Sequence, residues 1–237
     1  VSLESGSGTI PNVDANGNIT FTPADGFEGD AVINYTIRDA DGDTSSATLT
    51  ITVDATPEVE VNPESPNASG NNEVDEAGLD DGGSQAQTDL ETTSGTINID
   101  TGSDTLASLK IVDKDGTQVD VTNGGTVQGV YGTLTVTESN GDYSYSYTLA
   151  DNTEDHPSQG TGTDDVKDDF ALVIEDSDGD VNNSATLTID IKDDVPEAKD
   201  DAAETDENEA ITVNVLDGTA GGLDVAGADG PYTFVTD

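Results

Sequence analysis

Residues 35–57 read YTIRDADGDTSSATLTITVDATP, and residues 170–196 read FALVIEDSDGDVNNSATLTIDIKDDVP. Each passes from an alternating apolar segment through a D-x-D-G-D turn into A-T-L-T-I, then into an acidic linker that ends in proline. Ile33, Tyr35 and Ile37 precede the first turn; Phe170, Leu172 and Ile174 precede the second. Ala47, Leu49, Ile51 and Val53 follow the first, as Ala185, Leu187, Ile189 and Ile191 follow the second. A period of two puts these apolar side chains on one face of a strand and leaves the other face wet. Thr and Ser fill that outward face, where β-branched and small polar residues suit a solvated sheet. One hairpin is written twice.

The spacing sets the domain size. Asp39 and Asp176 lie 137 positions apart, Ala47 and Ala185 138, and Pro57 and Pro196 139. Each proline is followed by a further match, Val74-Asp75-Glu76-Ala77 in one case and Thr205-Asp206-Glu207-Asn208 in the other. A repeat of about 140 residues is too long for a solenoid unit and suits one domain. Residues 1–54 read as the back part of one repeat, 55–195 as a complete repeat and 196–237 as the front of the next. Beginning and ending in mid-pattern, the chain reads as an excised fragment. Its end pieces are expected to pair with sequence outside the window, with each other or with another copy.

The same period recurs in Ile97/Ile99, Leu134/Val136, Tyr143/Tyr145/Tyr147/Leu149 and Ile211/Val213/Val215. Asn140-Gly141-Asp142 reads as a tight hairpin turn. Pro63, Pro66 and the Gly/Ser/Asn/Gln-rich stretch 67–88 read as a long polar loop with little to bury. No amphipathic helix stands out. Several short antiparallel strands with one wet face give an all-β fold of tandem immunoglobulin/cadherin-like β-sandwich repeats.

Charge narrows the function. The chain carries 51 acidic residues against 6 basic ones, a net charge of −45. Such a surface repels nucleic-acid phosphates and anionic lipid. Asp outnumbers Glu by more than two to one, and Asp favours turns and caps. Much of the negative charge therefore sits in loops, where short carboxylates converge on a hard cation or simply form a solvated acidic surface. Zero cysteine excludes disulfides and thiolate chemistry. No apolar run approaches the ~20 residues of a membrane span, and Val1-Ser2-Leu3-Glu4 does not read as a signal peptide.

Segment 18–53, with F-T-P-x-x-G-F-x-G at 21–29 followed by Y-T-I-R-D, resembles the cadherin-like tandem repeats of very large bacterial adhesins. Residues 55–195 resemble the roughly 140-residue repeat of adhesins exported by type I secretion. The motifs that carry this second likeness are VDEAGL (74–79), YGTLTV (131–136), DYSYSYTL (142–149), DHP (155–157), DSDGD (176–180) and IKDDVP (191–196). The resemblance implies a secreted, cell-surface extender module with Ca²⁺ at its repeat junctions. Its partners would be neighbouring repeats of the same polypeptide, with a host-cell, surface or biofilm-matrix ligand engaged through other regions. The glycine-rich nonapeptides of the export regions of such proteins are absent, so this piece is not expected to be the secretion end.

Topology suggests where calcium would sit. In such a sandwich the hairpin joining the last two strands lies at the pole of the domain's own N-terminus. Asp176, Asp178 and Asp180 should then face the linker near Asp54 and Glu58, with Glu76 a candidate to join them. The equivalent turn at Asp39, Asp41 and Asp43 awaits a linker upstream. The next junction offers Asp193, Asp194, Asp200, Asp201, Glu204, Asp206 and Glu207. The turn is not an EF-hand loop, because Gly42 and Gly179 come too early and no position-12 Glu follows.

Catalysis has little to stand on. His156 is the only histidine, reads as structural, and has no Cys to partner. No G-x-S-x-G elbow occurs, and no carboxylate pair is singled out for glycoside hydrolysis. The stronger rival is a peptide- or glycan-binding module of the same kind of adhesin. Its candidate surfaces are the 67–88 loop and Tyr131/Tyr143/Tyr145/Tyr147, although those tyrosines read rather as a sheet core or cross-strand ladder.

Overall fold

The computed structural model describes residues 1–24, 27–153, 156, 163–218, 221–231 and 235, with only the backbone at 163–165. Asp155 and Pro157 of the DHP motif and Asp25-Gly26 of the 21–29 motif lie outside the described residues. The fold is all-β, as the alternation requires. The only helical element among the described residues is a single 3-10 turn, Glu76–Gly78. No helix is long and apolar enough to cross a membrane.

Two compact units emerge. The first gathers Val1–Glu58 with the segments Ile99–Ala107 and Glu175–Asn182, which hold short strand pieces as well as loops. Its strands are β1 (Ser2–Ser5), β2 (Gly8–Val13), β3 (Ile19–Pro23), β4 (Gly29–Arg38) and β5 (Thr44–Val53). They form a sheet of order β1-β4-β5 and a β2-β3 hairpin, all antiparallel. Ala31 and Ile33 are fully buried. Ile37, nearer the hairpin turn, is 63% exposed, and Leu49, directly across from Ile33 on β5, is 36% exposed. Alternation puts them on one face, but among the described residues that face is only partly covered.

The second unit comprises Val59–Asn98, Ser108–Ile174 and Asn183–Asp237. Along the chain come β6 (Glu58–Pro63), β7 (Asn72–Asp75), β8 (Thr92–Asp100), β9 (Leu106–Val112), β10 (Gln118–Asp120), β11 (Gly125–Gln128), β12 (Gly132–Ser139), β13 (Asp142–Leu149), β14 (Thr163–Asp176), β15 (Val181–Asn182) and β16 (Thr186–Lys192). One sheet runs β10-β9-β14-β16-β7, with β15 pairing β14, and the other runs β11-β12-β13-β8-β6. β7 joins β16 in parallel, while β10-β9, β11-β12, β12-β13, β13-β8 and β14-β16 pair antiparallel. Between β12 and β13, Asn140 and Gly141 both adopt positive φ (57° and 91°), the mirror-type turn expected of Asn-Gly.

The two sheets close over one core. Phe170, Leu172 and Ile174 of β14 and Leu187, Ile189 and Ile191 of β16 are at most 1% exposed. β13 buries Tyr143, Tyr145, Tyr147 and Leu149 on alternate positions. The tyrosines are therefore core, and each hydroxyl finds a partner: Tyr143 donates to the Thr122 carbonyl (2.7 Å), Tyr145 pairs with Asn72, and Tyr147 donates to Asp168 (2.6 Å). Tyr147 also meets Phe170 edge-on at 6.1 Å. Gly132 is required beside this ring, since a Cβ there would collide with the Tyr147 hydroxyl and the Thr148 carbonyl.

Asp168 holds the core's one dense polar node. It is 1% exposed and accepts from the backbone N–H groups of Val130 (2.6 Å), Tyr131 (3.0 Å) and Gly132 (3.1 Å), besides Tyr147. Desolvation and the neighbouring Asp168 carboxylate push the Tyr147 hydroxyl far above its usual range, so it stays a donor.

Two expectations need correcting. Within 67–88, Asn72, Val74, Glu76, Ala77 and Leu79 are buried, because β7 joins the sheet and the 3-10 turn folds inward. Residues 211–215 form no strand: among the described residues their alternation finds no pairing strand, and Ile211 is 52% exposed. Among the described residues of 196–237, regular pairing is limited to the bridges Glu197–Val225 and Asp201–Gly221.

Replacing Asp168 with Ala strands four donors, those of Gly132 and Tyr147 buried and those of Val130 and Tyr131 part-buried, at a cost of about 1–3 kcal/mol for each buried one, not fully additive. Urea denaturation of Asp168→Ala is expected to show a loss of at least about 3 kcal/mol.

Candidate metal centre

The two D-x-D-G-D turns fold alike. Asp39 Oδ1 accepts from the backbone N–H groups of Gly42 (3.0 Å) and Asp43 (2.8 Å), and Asp176 Oδ1 accepts from Gly179 (3.1 Å) and Asp180 (2.8 Å). Each turn is closed by a backbone bond, Asp39 N–H to the Asp43 carbonyl and Asp176 N–H to the Asp180 carbonyl. Gly42 and Gly179 sit at φ of 106° and 102°, which explains the glycine. The first Asp and the Gly thus account for the turn without a cation.

Surroundings separate the two copies. Asp39, Asp41 and Asp43 bring three carboxylates together, yet all three are exposed. Asp176 is 1% exposed, and its second oxygen, Oδ2, has no hydrogen-bond partner. Carboxylate oxygens of Asp104, Asp176 and Asp178 lie within 4.8 Å of one another, as do those of Asp54, Asp178 and Asp180, and those of Glu28, Asp54 and Asp104. These three sets interlock through Asp54, Asp104 and Asp178, gathering six acidic side chains.

Neutral hydrogen bonds hold the frame. Ser103 donates to Glu28 from its backbone N–H (2.9 Å) and its hydroxyl (2.6 Å), and the Ser177 hydroxyl donates to Asp104 (2.8 Å). The Asn182 amide donates to the Pro57 carbonyl (2.9 Å), fixing the linker. Arg38 is the only basic residue in this unit. Proton sharing with Asp54 pushes the Asp178 carboxyl above its ordinary value, outweighing the opposing contact with Asp176.

The topological expectation that the turn 176–180 faces Asp54 matches this geometry. Glu58 lies outside these carboxylate sets and lines an adjacent polar cleft with Glu28, Ala55, Thr56, Asp100 and Gly102. Glu28 and Asp104 were not read as candidates. Their signals, acidic residues in the GFEG and TGSD turns, are ordinary loop chemistry until folding brings them beside Asp54.

Glu76 belongs to the other unit, in a separate cluster with His156 and Asp193. Asp75 caps the 3-10 turn by accepting from the Ala77 N–H (2.9 Å) and pairs with Lys192 (2.5 Å), which orients Glu76 inward. Burial pushes the Glu76 carboxyl above its ordinary value, opposed by the Thr153 N–H and His156. Asp194 is buried for a different reason: the N–H and hydroxyl of Ser84 satisfy both of its oxygens (2.7 and 2.6 Å). Asp201 and Glu207 join no such set among the described residues, and Asp200, Glu204, Asp206 and Glu207 are exposed.

Residues 1–52 match a family model described as a bacterial Ig domain. Over those residues the chain is thus similar to a bacterial Ig domain, in accord with its strands. No curated protein matches the chain.

The Asp54–Asp178 contact makes a signed prediction. Without a cation, the raised Asp178 value means the folded chain holds a proton that the unfolded chain releases near the ordinary value of 3.8. This group's contribution to folding therefore worsens as pH rises above that value. In calcium-free buffer, urea denaturation across pH is expected to show that the Asp178→Asn variant lacks this part of the pH dependence of stability.

Proposed function

We propose that this chain is a calcium-stiffened extender module of a large bacterial surface adhesin, projecting a ligand-binding region for adhesion or biofilm formation. The observation that carries the reading is the buried Asp176 carboxylate, which has one oxygen without a hydrogen-bond partner and is grouped with the carboxylates of Asp104 and Asp178. A carboxylate buried among carboxylates is unfavourable unless a positive charge joins them. Oxygens bound to one Ca²⁺ at ~2.3–2.6 Å lie at most about 5 Å apart, and the observed sets fall within that limit. Six formal negative charges favour more than one ion.

Mechanism follows from who supplies the ligands. Glu28 and Asp54 come from the first Ig-like segment and its linker, whereas Asp104 and Asp176–Asp180 come from loops of the 55–195 repeat. Ca²⁺ held by both sets ties the two sequence segments and restricts bending at residues 54–58. Removing it leaves like charges that push the loops apart. Bacterial Ig domains are usually extracellular or surface modules and typically non-enzymatic, which fits a secreted rod in calcium-rich surroundings. The rival binding-module reading loses Tyr143, Tyr145 and Tyr147, which are committed to the core.

Thermal melting and limited proteolysis test this. Chelation is expected to lower the melting temperature and open cleavage near residues 54–58, and millimolar Ca²⁺ should reverse both. Asp176→Asn should need more Ca²⁺ for the same protection, while Asp39→Asn should not. Identical melting and cleavage with and without Ca²⁺ would refute the proposal.

A further inference from the structure

Three acceptors in the second unit do not fit a calcium site. One ligand atom each from Glu76, His156 and Asp193 lie within 4.8 Å of one another. Glu76 is 0% and Asp193 7% exposed, and the His156 side chain is 5% exposed. Glu76 Oε1 accepts from the Thr153 N–H (2.7 Å) and stands 3.4 Å from His156 Nε2, while Oε2 has no hydrogen-bond partner. A simple Glu76–His156 ion pair uses Oε1 at a distance longer than a good N–H···O bond. It leaves the second buried oxygen unanswered. Lys192, the basic residue next to Asp193 in sequence, is engaged with Asp75.

We propose that Glu76, His156 and Asp193 form a site for a borderline divalent cation of the Zn²⁺ type, chemically distinct from the all-carboxylate cluster of the first unit. Imidazole nitrogen suits Zn²⁺ and its transition-metal neighbours, whereas Ca²⁺ demands six to eight oxygens. One imidazole and two carboxylates supply three of the four ligands of a tetrahedral Zn²⁺ site. Asp229, held by the Asn152 amide (2.7 Å), lies near enough for its charge to act on Glu76, so the negative field at the site exceeds that of the ligands alone. Such an ion would tie the turn after β7 to the chain leaving β16, the two ends of one repeat. It does not depend on the calcium reading.

The single histidine permits a test without mutation. The whole chain is first saturated with millimolar Ca²⁺ to occupy exposed carboxylates, then titrated with Zn²⁺ alone. Calorimetry is expected to give one Zn²⁺ per chain, and NMR should show the sole imidazole shifting in step with binding. Co²⁺ in place of Zn²⁺ should give a visible ligand-field spectrum. Glu76→Gln and His156→Gln, checked for folding by circular dichroism, should each weaken Zn²⁺ binding by more than about tenfold. No Zn²⁺ uptake in excess Ca²⁺ would overturn the proposal. So would binding that leaves the imidazole signal unmoved, or unchanged affinity in a folded His156→Gln chain.

Discussion

A carboxylate buried beside other carboxylates needs a positive partner, and the first unit has almost none to give. Its one basic residue is Arg38, whereas Glu28, Asp54, Asp104, Asp176, Asp178 and Asp180 form three overlapping sets, each with carboxylate oxygens within 4.8 Å of one another. In the proposed account, a mobile divalent ion does what Lys and Arg do in most domains. The bond is therefore conditional on the medium, stiff where calcium is plentiful and absent where it is not. That condition separates a secreted spacer from an ordinary acidic surface.

The duplicated hairpin shows how far local sequence reaches. Both D-x-D-G-D turns make the same bonds, and both A-T-L-T-I strands present apolar residues at the same alternate positions. Yet Leu187 is 1% exposed and Leu49 36%, while Asp176 is buried and Asp39 lies in solvent. Alternation decides which face is apolar, not whether another layer covers it. Turn chemistry decides where an Asp caps, not whether folding buries it beside other carboxylates.

Much of the β-sandwich was legible because period-two patterning and Asn-Gly or Asp-Gly turns act over a few residues. The approach of the 176–180 turn to Asp54 was legible too, from the topology of a sandwich. What escaped depends on contacts distant in sequence. Glu28 and Asp104 become candidates only when Ser103 and Ser177 clamp their loops together. Asp168 looked like one more acidic residue but anchors the core through Tyr147 and three backbone N–H groups. His156 gained chemical meaning only when the fold placed it beside Glu76, 80 positions earlier in the chain. In the other direction, Ile211, Val213 and Val215 alternate as a strand should, and among the described residues no neighbouring strand receives them.

Small-angle X-ray scattering on this chain, in millimolar Ca²⁺ and again after chelation, bears most directly on the claim that cations tie the two sequence segments together. The account requires one narrow distribution of distances with Ca²⁺ and a broader, longer one without it, restored on adding Ca²⁺ back. An unchanged scattering curve would contradict it and leave the carboxylate cluster as a solvated acidic surface.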